Sequence, residues 1–197
     1  MRTRFLMVLA AVSSLAAYSR NALVQPDALR DALNLAQTRD DALFASFNQS
    51  YNLTPSGTID RVEVITEFRR AVLIARDQWQ QGHVGFNADD LAKALEPFKG
   101  LVTFLVQVRL NPLNTFIKEP SYDLYVATGP RSPPIAAKTL KRGPVFPPGS
   151  NSPVLGVRLE ASFPRADIGR ADAPFLIVTD EKGETLWQVR IDLSRYR

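Results

Sequence analysis

The strongest constraint on this chain is a change of hydrophobic period at Leu101. Upstream, apolar residues recur every three or four positions, the spacing that lines one side of an α-helix. Downstream they alternate, the spacing that gives a strand one buried face. Val102, Phe104, Val106 and Val108 alternate with Thr103, Leu105, Gln107 and Arg109. Tyr122, Leu124 and Val126 alternate with Asp123, Tyr125 and Ala127, and Leu155, Val157, Leu159, Ala161 and Phe163 repeat the pattern against Gly156, Arg158, Glu160 and Ser162. Strands that follow one another with no helix between them predict an α+β fold: N-terminal helices packed beside a C-terminal antiparallel β-sandwich of immunoglobulin-like size.

The last two strands read as one hairpin. Phe175 to Thr179 and Thr185 to Leu193 flank Asp180-Glu181-Lys182-Gly183, where glycine supplies the positive φ of a bulged turn. Trp187, Val189, Ile191 and Leu193 are expected to face the core. Ile135 to Leu140 is a candidate edge strand. Seven of the fourteen prolines lie between Gly129 and Pro153. Proline cannot donate within a sheet interior, so this segment is expected to be a long, stiff surface loop, with residues 143–153 running over the surface.

In the front half, Pro26-Asp27 can open a helix carrying Leu29, Leu33, Ala36, Leu43, Phe44 and Phe47, and Asp40-Asp41 interrupts its apolar face, leaving a break open. Residues 48–57 are turn and linker chemistry. Thr58 is an acceptable N-cap for the next helix, in which Val62, Ile65, Phe68, Val72, Ala75 and Trp79 recur at three and four until Gly82. This predicts one amphipathic rod of about six turns, with Phe68 and Trp79 buried on the same side and a charged opposite face. A third, short helix begins at Asn87 with Asp89 and Asp90 in its first turn, packs with Leu91, Ala94, Leu95 and Phe98, and stops around Pro97 and Gly100.

Ahead of these elements stands a leader pattern. Arg2 and Arg4 precede the uncharged run Phe5 to Ala17, which is too short for a stable membrane span, and small residues follow where a peptidase would cut. Leu15-Ala16-Ala17 matches the first three positions of a bacterial lipobox, but Tyr18 stands where the lipid-accepting cysteine would be. With no cysteine anywhere, thioether lipidation is chemically excluded. The expected organisation is a signal peptide over residues 1–19, a helical region over 25–100 and a β-sandwich domain over 101–197. The product would be periplasmic or secreted, with no stable membrane span after signal removal. The formal charge of +4 falls to +2 once Arg2 and Arg4 leave, too little to argue for nucleic acid. Without disulfides, the exported fold must be held by burial. The sequons at Asn48 and Asn52 carry no weight in a bacterial host.

The phrases EVITEFRRAVLIA, and RLNPLNTF followed by YDLYV, resemble segments of predicted bacterial envelope lipoproteins of unassigned function. The resemblance spans most of the chain after the leader and implies an envelope location. It carries no catalytic residue across.

Chemistry-bearing motifs are sparse. His83, the only histidine, lies in GHVGFN after the long helix, and it reads as a loop histidine near Asp89 and Asp90 rather than as a ligand or base. There is no G-x-S-x-G, P-loop or Rossmann glycine pattern, and GPRSPP has proline where a phosphate-cradling loop needs backbone N–H groups. No catalytic, metal or cofactor-binding residue is predicted, and no enzymatic activity. The candidate partner-binding residues are the densest basic patch, Arg131, Lys138, Lys141 and Arg142, expected to project to solvent and suited to anionic headgroups or an acidic glycan, together with Arg61, Glu67 and Arg70 on the charged helix face. Tyr122 and Tyr125 straddle the two faces of their strand, so one is a candidate for exposure near the proline-rich segment. The expectation is an exported, non-enzymatic envelope protein that binds a protein or surface partner through sandwich loops or the charged helix face. The alternatives are an accessory subunit docking a membrane complex through its helical region, and a hydrolase or carbohydrate-active module, which would require a polar cleft.

Overall fold

The structure, a computed structural model, describes residues 25–111, 120–129, 131–149, 154–169 and 173–196. The leader, including Tyr18, lies outside the described residues, as do residues 150–153 of the proline-rich segment. In chain order the elements are α1 (Pro26–Ala36), α2 (Asp41–Gln49), β1 (Asn52–Leu53), β2 (Ile59–Ile65), α3 (Glu67–Gln80), α4 (Ala88–Leu95), β3 (Leu101–Arg109), β4 (Asp123–Ala127), β5 (Ile135–Ala136), β6 (Thr139–Val145), β7 (Gly156–Pro164), α5 (Arg165–Ile168), β8 (Phe175–Thr179) and β9 (Thr185–Arg190). The strands form two antiparallel sheets, one of five strands in the order β1-β2-β3-β7-β6 and one of four in the order β5-β4-β8-β9. The fold is α+β, with a sandwich as its body. Among the described residues no helix is long and apolar enough to cross a membrane.

The alternation at Leu101 places side chains as expected. On β3, Val102, Phe104, Val106 and Val108 are buried, and they stand opposite Phe163, Ala161, Leu159 and Val157 of β7. From the other sheet Leu124 and Val126, Leu176 and Val178, and Trp187 complete the same core. Cross-strand apolar pairs of this kind are the unit of sheet stabilisation, and here two inner faces share one interior. The β8–β9 hairpin forms as expected, with Gly183 at φ +80°, and its register sets Val178 opposite Trp187 and Leu176 opposite Val189. Leu155 departs from its pattern: it precedes β7 and is exposed.

The long helical rod is the main correction. Residues 59–65 are strand β2, with Val62 opposite Val106 and Val64 opposite Phe104; the helix starts only at Glu67, with the Thr66 hydroxyl accepting from the Arg69 amide at 3.3 Å. The run Ile59, Val62, Val64, Ile65 is β-branched, which favours strand over helix. Both faces of β2 are covered between Val62 and Ile65, so the buried residues no longer alternate with exposed ones, and the outward Ile65 lengthens the three-and-four pattern of α3 by coincidence. Strands β1 and β2 therefore belong to the sandwich although they lie within residues 25–100.

The helices form a second cluster on the outer side of the five-stranded sheet. Leu29, Ala32 and Ala36 of α1, Phe68, Ala71, Val72 and Ala75 of α3, and Leu91 and Leu95 of α4 pack together. The break at Asp40 is real: its carboxylate caps α2 by accepting from the Leu43 amide at 3.0 Å. Asn87 opens α4 with a capping box closed by Asp90. Phe47 joins the two cores, with its ring 5.1 Å from Tyr51 and 6.2 Å from Phe68. Trp79 does not join Phe68. It falls in the last turn of α3, 39% exposed, with the Arg76 guanidinium 4.8 Å over its ring.

The proline-rich segment is also corrected. It holds β5 and all of β6, which pairs with β7 from Thr139–Ser162 to Val145–Gly156. Pro144 is accommodated because β6 is an edge strand with only one neighbour to satisfy. Residues 143–145 are thus paired backbone and not part of a free loop.

Candidate functional site

The helices cover the outside of the five-stranded sheet and leave the outside of the four-stranded sheet open. Alternation on β4 and β8 sends Leu124, Val126, Leu176 and Val178 inward and so turns Asp123, Tyr125 and Ala127, and Phe175, Ile177 and Thr179, the other way. Register then sets these residues in rows. Tyr125 lies opposite Ile177, and Ile177 opposite Gln188; one step along, Asp123 lies opposite Thr179, and Thr179 opposite Thr185. The result is a cleft of about 590 Å³ with an apolar middle and polar flanks. Its volume lies within the range of small-ligand sites.

Two turns wall the cleft at opposite ends of the strands. At one end is the β8–β9 turn, held by Asp180. The Asp180 carboxylate accepts from the amides of Lys182 at 2.9 Å and Glu184 at 2.8 Å, and its carbonyl accepts from Gly183 at 3.0 Å. Asp180 and Gly183 are the residue types such a turn demands. At the other end the Gly129–Ser132 turn, closed by Ser132 N–H to the Gly129 carbonyl at 3.2 Å, leads through Pro134 into β5. Asp123 is held by Arg142, whose guanidinium bonds both its carboxylate and the Tyr122 carbonyl, the latter at 2.8 Å. Burial, and then the charges of Asp180 and Glu181, push the Tyr122 phenol above its ordinary value.

The candidate residues named from sequence are not brought to one place. Lys138 and Lys141 are exposed on or beside edge strand β6, and Lys141 stands opposite Glu160. Arg142, on the same strand, is exposed as expected, and its guanidinium engages Asp123 of β4 and so ties the two sheets together. Arg131 is exposed in the turn at one end of the cleft. Arg61 sits on β2, not on a helix, and its Nε lies 2.5 Å from Glu63. Glu67 accepts from the Gly100 amide, and Arg70 lies against the sheet, donating to Thr103 at 3.1 Å and Glu160 at 3.5 Å with its guanidinium 4.5 Å over Phe98. Burial pulls the Arg70 guanidinium below its ordinary value, and Glu160 opposes that effect. The expected charged helix face is therefore largely an inner surface that fastens α3 to the sheet.

His83 is exposed, and its Nδ1 lies 2.6 Å from Gln78 Oε1. Among the described residues no group of three histidine or acidic side chains is placed to hold a metal ion. What sequence reasoning missed is the row Tyr125–Ile177–Gln188. Its signal was the unbroken apolar run Phe175 to Val178, which puts apolar side chains on both faces of a strand, one of which the helices leave open. No protein-family model matches this chain, and no curated protein or solved structure matches it.

Proposed function

We propose that this chain is an exported, non-catalytic protein of the bacterial envelope that binds a partner or surface ligand on the open face of its four-stranded sheet. The observation that carries this reading is the asymmetry of the sandwich: helices cover one outer face, while the other holds a cleft that reaches from the β8–β9 turn to Gly129 and Ser132. Loops placed on a rigid scaffold are where binding residues concentrate. Both aspartates in the cleft are already engaged, Asp123 by Arg142 and Asp180 by backbone amides, which supports a recognition role over acid–base work. Export rests on the leader pattern alone. Mass spectrometry of the expressed protein should find an N-terminus at Tyr18 or Arg20 and no lipid mass.

The test of the binding surface is retention on envelope material. Tyr125→Arg should abolish retention with an unchanged melt, whereas Lys138→Glu/Lys141→Glu should leave it intact. The reverse result would return the site to the basic edge strand. A second reading, docking of a membrane complex through the helices, is favoured by one observation: Leu43 and Trp79 are large, apolar and exposed, at 51% and 39%. Loss of retention on Leu43→Glu/Trp79→Glu, with Tyr125→Arg silent, would select it.

A further inference from the structure

The geometry points to an uncharged oligosaccharide as the ligand of this cleft, stacked on Tyr125 and Ile177 and hydrogen-bonded by the polar groups on either side. This deepens the reading of the open face as the binding surface and rests on it. A pyranose ring has two faces of C–H groups and a rim of hydroxyls. It needs a floor that is apolar in the middle and lined by both donors and acceptors at the margins. Tyr125 and Ile177 are half-buried cross-strand neighbours that offer such a floor. Gln188 at one end of that row both donates and accepts, Thr179 and Thr185 bring hydroxyls, and Asp123 and Asp180 bring carboxylates that accept from sugar hydroxyls.

Preorganisation favours the same ligand. Asp180 is fixed by two amides of its own turn and Asp123 by Arg142, so neither aspartate must be ordered when a ligand arrives. The five residues of β4 span roughly 14 Å at about 3.4 Å each, room for more than one ring and hence for an oligomer.

Other classes fit less well. Among the described residues Lys182 is the one cation whose side chain lines the cleft, Arg142 being committed to Asp123, so the cleft offers no cluster of cations to phosphates, nucleic acids or acidic glycans. An acyl chain needs an enclosed apolar cavity, and this cleft is open with polar walls. An extended peptide binds best by adding to a free sheet edge, whereas this cleft lies over a face whose backbone is already paired.

The test is calorimetric titration of the full chain with cellohexaose, maltohexaose and fully N-acetylated chitohexaose, beside an uncharged Ser/Thr-rich peptide as the competing class. At least one sugar should bind, Tyr125→Phe should retain binding, and Tyr125→Ala should weaken it about tenfold or more, with an unchanged melting temperature. Gln188→Ala, on an exposed edge strand, is the second variant and should weaken binding in the same direction even if Tyr125→Ala perturbs folding. Absence of binding by all three sugars, binding indifferent to both substitutions, or tighter binding of the peptide would overturn the proposal. If the sugars fail while Tyr125→Arg still abolishes envelope retention, the saccharide is wrong and the binding face stands.

Discussion

Arg69 Nη2 donates to Glu63 Oε2 at 2.5 Å in a place where both side chains are almost wholly buried, at 3% and 8% exposure. Arg69 comes from the first turns of α3 and Glu63 from the outer face of β2, so this pair ties the helical layer to the sheet. The guanidinium also donates to the Val64 carbonyl at 2.9 Å and lies 5.1 Å over the Tyr51 ring. A buried pair is retained at the cost of desolvating both charges, and its partners become a liability once separated.

Glu63→Gln should therefore destabilise the fold by about 3–5 kcal/mol, because it leaves the Arg69 charge buried without its counterion. Arg61→Ala, which removes the exposed second partner of Glu63, should cost less than about 1 kcal/mol. Urea titrations of the two variants provide the comparison. Equal losses would mean that the pair does not hold the layers together.

Phe68 and Trp79 should behave oppositely on truncation. Phe68→Ala empties a site in the helical core and should cost about 3–5 kcal/mol. Trp79→Ala removes an exposed ring whose contact is Arg76 and should cost about 1 kcal/mol or less. Thermal melts of both variants decide the matter, and a large loss at Trp79 would contradict its placement at the surface.

Stability should fall at alkaline pH through two tyrosines. Burial raises the phenols of Tyr122 and Tyr196 above their ordinary value of 10.0, with Asp180 and Glu181 adding at Tyr122. A raised folded value means that the native state holds the proton more tightly than the unfolded chain. The stabilisation is present in full below the unfolded value and is lost as pH rises through the folded one. The melting temperature of the wild type should thus decline above about pH 10. Tyr122→Phe and Tyr196→Phe should each flatten that decline, and an unaltered alkaline limb in both variants would exclude the mechanism.

Gly156 is required at the start of β7. A Cβ there would lie 2.4 Å from the Val108 carbonyl oxygen, a backbone atom that cannot swing aside. Gly156→Ala should cost about 1–3 kcal/mol by overpacking. Gly143→Ala, on the neighbouring edge strand with open space around it, is the control and should be close to neutral. Denaturant midpoints of the pair test the difference.

Two kinds of information meet in this protein. Patterns that depend on near neighbours in the chain were legible in sequence: the alternation of β3, β4 and β7, the Gly183 hairpin, the interruption at Asp40-Asp41 and the helix start at Asn87. Each follows from side-chain periodicity or from a local hydrogen bond, and no distant partner is needed to specify it. The identity of residues 59–65 was not legible, because Val62 and Ile65 continue the helical spacing of α3, and only pairing with β1 and β3 shows that one of them faces the sandwich and the other the helices. The same holds for the charges. Arg61, Glu67, Arg70 and Arg142 look solvated in a string of letters, yet three of the four reach across to other elements, where specific partners turn surface charge into structural fastening. The candidate site belongs wholly to this second kind: Tyr125, Ile177 and Gln188 stand far apart in sequence, and what joins them is strand register together with the side of the sandwich that the helices happen to leave bare.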